Sequence, residues 1–195
     1  IPAGDGVQVI DAADRWVTPG LIDVHSHLGS SSSPHIKAHR ETNEATAPVT
    51  AEVWIEHSIW PQDPGFSRAM AGGVTSLQIL PGSANLIGGR GVTLTNVPSV
   101  SYQGMKFPDA PHGLKMACGE NPKRVYGSKN RAPSTRMGNV AGSRAQWLEA
   151  RNYLEEMEAA GNKAKGKNGE KDSKPPKRGL RLGTLAAVLE GEFRV

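Results

Sequence analysis

The stretch Pro19-Gly20-Leu21-Ile22-Asp23-Val24-His25-Ser26-His27 decides how the rest of the chain is read. Pro19-Gly20 makes a sharp turn. Leu21 to His25 then reads as a strand apolar enough to be buried on both faces. His25 and His27 stand two apart, a spacing that sends both side chains to one face of an extended segment. Two imidazoles so placed can grip one cation, or a pair, from one side, and neutral imidazole suits zinc and other divalent transition metals. Taken alone, the pair could equally be two surface histidines at a strand end. The turn and the apolar strand that deliver it favour the metal.

Upstream, Val7 to Ile10 is a short β-type run, Asp11 to Arg15 reads as a turn, and Trp16-Val17-Thr18 is extended. These pieces are β elements without helices, so a domain boundary falls near Pro19-Gly20. Downstream, the loop from Gly29 to Pro48 is rich in Ser, Thr, Asn, His and Pro, and loops of this length inside a compact domain are usually functional or mobile. Thr50 is placed to cap a helix over about Ala51 to Trp60, ended by Pro61. Phe66 to Ala71 reads as a short helix closed by Gly72-Gly73. Val74 to Leu80 is a strand, followed by a Gly-rich loop from Pro81 to Gly91 and an extended run from Gly91 to Val97. Leu114 to Ala117 is a short buried strand that breaks at Gly119-Glu120-Asn121-Pro122. Ser143 is a plausible cap for the longest helix, about Arg144 to Ala160, with Trp147, Ala150, Leu154 and Met157 at helical spacing. Leu182 to Leu189 forms another helix ended by Gly191, and Phe193-Arg194-Val195 opens a further strand. Strands alternating with helices argue for a parallel α/β architecture.

The chain has 195 residues, a formal net charge of +4 and one cysteine. The charge is local. Between Lys163 and Arg181 lie eight basic and two acidic residues, so the remainder of the chain is net negative. That stretch holds Gly, Asn, Ser, Pro and Lys with no aromatic, which reads as a solvated loop and not as a nucleic-acid surface. No apolar run approaches the ~20 residues needed to span a bilayer. Cys118 alone cannot build a disulfide framework; it reads as a small buried residue. The length is short of the about 250 residues of a closed (β/α)8 barrel. The chain starts at Ile1 without Met and stops where a strand begins, so the expectation is an excerpt of a longer protein. A signal peptide and the compartment, cytoplasmic or exported, stay open.

Val9-Ile10-Asp11-Ala12 followed by Trp16-Val17-Thr18-Pro19-Gly20-Leu21-Ile22-Asp23-Val24-His25-Ser26-His27-Leu28-Gly29 resembles the start of the barrel in the amidohydrolase superfamily, closest to its imidazolonepropionase-related members. The resemblance continues through Ala71-Gly72-Gly73-Val74-Thr75-Ser76, Gly82 to Gly91 and Gly113 to Gly127. It implies that residues 1–18 are part of a small β-sandwich. It implies that residues 19–195 are the N-terminal portion of a (β/α)8 barrel, within which the Lys-rich stretch at about 161–181 is read from its composition as a flexible loop.

In such proteins the first-strand histidines are joined by a glutamate or a carboxylated lysine from the third or fourth strand. Glu120, at the end of its strand, is placed ahead because a carboxylate ligates without modification; Lys115 is the alternative. Imidazolonepropionases proper lack this ligand. Two later histidines and the aspartate that moves the proton are expected beyond Val195, so no catalytic residue is assigned within the chain.

The implied activity is metal-dependent hydrolysis of a C–N bond, in a non-peptide or cyclic amide or in a dipeptide, with one or two divalent cations, zinc by ligand type. The expected partner is a small-molecule substrate, with no nucleic acid and no membrane; homo-oligomerisation is left open. Two rival readings are a metal-binding homologue without catalysis and a truncated product, poorly folded and inactive alone. Arg90, in the Gly-rich loop, is the candidate for meeting a substrate carboxylate. His35 and His39 stand in the loop after the metal strand, where they could line the substrate entrance. His57 reads as a helix-surface or packing residue, and His112 has no defined role.

Overall fold

The computed structural model describes residue 4 and residues 6–165 and 177–195. Strand β1 (Leu21–Ser26) lies parallel to β2 (Val74–Ile79), with helix α1 (Pro64–Ala71) on the connection between them. β2 is flanked on its other side by an antiparallel strand, β4 (Val92–Thr95). A second, two-stranded sheet pairs β3 (Ile87–Arg90) with β5 (Leu114–Met116), antiparallel. Helices α2 (Glu120–Gly127), α3 (Arg136–Lys165) and α4 (Leu180–Leu189) complete the mixed α/β architecture. Phe193 to Val195 contributes one parallel bridge, Arg194 to Gly113.

Two apolar clusters hold these elements. On β2 the two-residue period places Leu77 and Ile79 on one face, both fully buried against Ile55, Phe66, Val92, Leu94 and Met105. The second cluster joins Ala51, Leu86, Ile87 and Leu114 to Ala150 of α3 and Leu185 of α4. Truncating any of the large buried side chains to alanine costs about 2–5 kcal/mol, because the surroundings only partly fill the cavity.

α1 starts where Asp63 caps it and Pro64 takes the first helical position, a position that needs no N–H. α4 ends in a left-handed Gly191 (φ 82°). There Gly191 N–H donates to Val188 and Glu192 N–H to Ala187, closing the last turn.

Several sequence expectations are corrected. The helix over Ala51 to Trp60 reduces to one 3-10 turn at Ile55–Ser58. The Thr50 hydroxyl bonds the carbonyls of Ile87 and Gly88 instead of a helix N–H, and Arg90 N–H takes the Val53 carbonyl. The backbone here is spent on β3. The Gly-rich segment is accordingly part strand: Gly89 (φ 118°) packs so close to Val53 that an added Cβ would sit 2.5 Å from its carbonyl oxygen. α3 begins at Arg136, not near Ser143, because Thr135 accepts a hydrogen bond from Gly138 N–H and supplies the cap. It also runs past Gly161 to Lys165, and α4 takes in Leu180 and Arg181, which narrows the predicted loop at about 161–181. Residues 166–176 of that loop lie outside the described residues.

β1 is not buried on both faces: Leu21, Ile22 and Val24 are mostly exposed. Among the described residues it pairs on one edge only, with β2. Residues 6–18 form no strand, and Val9, Ile10, Trp16 and Val17 are exposed; a β-type run gains nothing from extension without a neighbour to pair with. Among the described residues no helix is long and apolar enough to cross a membrane.

Gly91 separates β3 from β4 and therefore sits on the seam between the two sheets. Its N–H donates to Gly113, and a Cβ there would lie 2.6 Å from the Leu80 side chain.

Candidate metal centre

His25 lies near the C-terminal end of β1 and His27 just beyond it. Their rings meet edge to face with centroids 5.3 Å apart. His27 is half-buried, and its Nδ1 lies 2.7 Å from the Leu80 carbonyl. A carbonyl only accepts, so Nδ1 carries the proton and the nitrogen left to face a ligand is Nε2. Such outer partners fix the tautomer and orientation of metal-binding histidines.

The turn after His27 is closely tied. The His27 carbonyl accepts from the N–H groups of Ser30 and Ser31 and from the Ser30 hydroxyl. Gly29 takes φ 78°, and a Cβ there would press on Ile59 and Phe66 at 3.0 Å. Its N–H donates to Asp63 and its carbonyl accepts from Trp60 N–H.

His25 is exposed, and its ring nitrogen Nε2 lies 3.1 Å from Lys115 Nζ. Burial holds the Lys115 ammonium below its ordinary pKa. The Lys115 charge, then burial, then His27 pull His25 below the usual histidine range, against an opposing effect of Asp23. Glu120 does not join the pair. It is the first residue of α2, and its exposed carboxylate accepts from Arg124 Nε at 2.9 Å one turn on. Of the two sequence candidates, Lys115 contacts His25, and Glu120 pairs with Arg124.

Among the described residues no three His, Cys, Asp or Glu side chains converge. The donor set is two imidazoles and an amine. It fits part of a zinc site, to which the two imidazoles would bring nitrogen donors.

A cavity of about 600 Å³ adjoins His27 and is lined also by Ser31, His35, Arg40, Asn121 and Arg124. A larger one, about 760 Å³, is lined by Arg40, Glu52, Trp54 and His57 and touches neither His25 nor His27. Of the loop histidines, His35 faces the first cavity. His39 bonds the Ser32 hydroxyl and leans on Trp60. His57 stacks on Trp54, and His112 bonds the Gly91 carbonyl.

Arg90 lies in neither cavity lining. Its guanidinium lies over the rings of Trp54 (3.8 Å) and Phe193 (4.6 Å), the geometry of a cation–π clamp between β3 and the C-terminal segment. Cys118 is exposed, contrary to the buried role read from sequence.

Two contributors were not singled out from sequence. One is the Leu80 carbonyl, which leaves no trace in residue type. The other is Asp63, whose Asp-Pro pair before Phe66 is a helix-start signature that could have flagged it.

No protein-family model matches the chain. The amidohydrolase tasK of Hapsidospora irregularis is 41% identical over 139 residues, 67% of this chain and 14% of that protein. The imidazolonepropionase of Mesorhizobium japonicum is 58% identical over 26 residues, 13% of this chain and 6% of that protein. The crystal structure of an amidohydrolase from Thermotoga maritima superposes with a TM-score of 0.79 at 36% identity, covering 95% of this chain and 48% of that one. With the histidine pair and the fold already in place, these similarities show that the chain belongs to the amidohydrolase superfamily. It spans about half of the Thermotoga protein and a smaller share of the other two.

Proposed function

We propose that this chain supplies the first metal ligands of a metal-dependent hydrolase that cleaves a C–N bond in an amide, cyclic amide or dipeptide. The observation that carries the reading is His27, its Nδ1 proton committed to Leu80 and its Nε2 free beside His25. Support comes from the position of the pair at the C-terminal end of a parallel strand, where (β/α)8 enzymes build their sites. The β1–α1–β2 unit is read as the first part of such a barrel, and residues 1–18 as part of a small β-sandwich.

The cation is read as divalent, zinc by the nitrogen donors, in one or two copies. When bound, such a cation lowers the pKa of a coordinated water and polarises a carbonyl. Lys115 is the third candidate ligand, as its carboxylated form, and it displaces Glu120 because only Lys115 reaches His25. The residues of the chain itself do the holding. Leu80 orients His27, Lys115 and His25 face each other, and the cavity beside His27 receives the substrate.

The test is zinc uptake by the purified protein followed by assay on a panel of cyclic amides and dipeptides. Stoichiometric zinc lost on replacing His25 or His27, together with zinc-dependent turnover, supports the reading. Zinc bound without turnover on any substrate supports a binding role, and zinc retained in the double replacement His25→Ala, His27→Ala overturns the assignment.

A further inference from the structure

Asp63 is 2% exposed, yet no basic side chain pairs with it among the described residues. Its carboxylate is satisfied by backbone instead. Oδ1 accepts from Gly65 N–H at 2.9 Å and from Ser33 N–H at 3.1 Å, and Oδ2 accepts from Gly29 N–H at 3.0 Å. Only the first of these is needed to cap α1. The other two run to the segment that follows His27, across 30 and 34 residues of sequence. Gly29 is held at both ends, its N–H by Asp63 and its carbonyl by Trp60, and Trp60 in turn accepts from Asp63 N–H. The turn that leaves His27 is thus clamped to the start of α1.

We propose that Asp63 is a positioning residue, a buried carboxylate that fixes the His27 ring in its single tautomer by holding the turn at Gly29 and Ser33. Ionised hydrogen bonds to backbone N–H groups are among the stronger ones in proteins. Three of them converging on a buried carboxylate define a rigid point, and rigid outer partners are what keep a metal ligand in register. The idea rests on the metal-site reading for its purpose but not for its geometry.

The test compares Asp63→Ser and Asp63→Asn with the unaltered protein. Serine still caps α1 but cannot reach Gly29 or Ser33. Asparagine keeps an acceptor for the helix but turns an NH2 group toward one of the donors. Two readouts are taken. In metal-free protein, ring-nitrogen NMR of His27 and hydrogen exchange of the Gly29 and Ser33 amides report the clamp directly. The expected result is loss of the single Nδ1–H tautomer and faster exchange at both amides, by about tenfold or more in the serine variant, while α1 stays protected. In zinc competition titrations, affinity falls by about 10–100-fold, the range seen when an outer partner of a ligating histidine is lost. An unchanged His27 tautomer and unchanged amide exchange in both variants overturn the proposal, whatever the zinc result. If the unaltered protein takes up no zinc, the metal reading fails, and the metal-free readouts still decide on Asp63. If the serine variant does not fold, the asparagine variant carries the same readouts.

Discussion

His25 and His27 are two residues apart, and their surroundings differ in every respect that matters to a ligand. His27 is half-buried, hydrogen-bonded through Nδ1 to Leu80, and followed by a turn tied at Gly29, Ser30, Ser31 and Ser33. His25 is exposed on a strand that, among the described residues, pairs on one edge, and its ring nitrogen meets a lysine. One histidine is fixed by a backbone carbonyl. The other faces the Lys115 amine. The difference teaches that a His-x-His pair read from sequence as one unit is built from two separate supports, one of packing and one of charge.

The comparison breaks first at the metal. Replacing either histidine by alanine is expected to cost more than about 100-fold in zinc affinity, beyond the loss of an outer partner, measured by chelator competition. Equal affinity in His25→Ala and the unaltered protein would leave His27 as the only ligand of the two. Next, Lys115→Ala is expected to lower zinc affinity by at least about tenfold while Glu120→Ala leaves it unchanged. The reverse outcome would restore Glu120 as the ligand.

A smaller effect separates the two histidines by stability. His27→Ala leaves the Leu80 carbonyl without its donor and is expected to lower stability by about 1–3 kcal/mol, while His25→Ala costs under about 0.5 kcal/mol because its side chain is exposed. Urea denaturation of metal-free protein measures both. The smallest effect is on pH. In metal-free protein His25 is held below the ordinary histidine range, chiefly by Lys115. The unfolded chain therefore binds the proton more readily. The stability tied to neutral His25 is complete above its unfolded pKa and is lost as pH falls through the lower folded value. An NMR titration should show His25 protonating later than a free histidine on acidification, and Lys115→Met should move it back toward the ordinary range.

Much of this arrangement is legible in residue pattern. The strand ending in the histidines, the strand at Val74, the short strand at Leu114 and the helix ended by Gly191 all follow from apolar periodicity and turn chemistry. The α/β class follows from their order. What escapes the pattern is set by partners distant in the chain. Ile87 to Arg90 is glycine-rich and looks like a loop, but pairing with β5 makes it a strand. Val53 and Trp54 look helical until Arg90 takes the Val53 carbonyl. Glu120 looks like a strand-end ligand because nothing in the local sequence says that α2 begins on that residue and turns it toward Arg124. Arg90 suggests an anion reader until two aromatic rings, 36 residues before it and 103 after it, are found against its guanidinium.

The seam at Gly91 carries a consequence for how this sequence can drift. The methyl group of an alanine there would meet the Leu80 side chain, and Leu80 is the residue whose carbonyl keeps the proton on His27 Nδ1. A one-carbon change between two sheets would thus press on the side chain of a residue whose backbone serves an imidazole that the change does not touch. A descendant that keeps both sheets and the histidine pair can take alanine here only if the Leu80 side chain turns aside and the Ile79 carbonyl gives by a few tenths of an ångström.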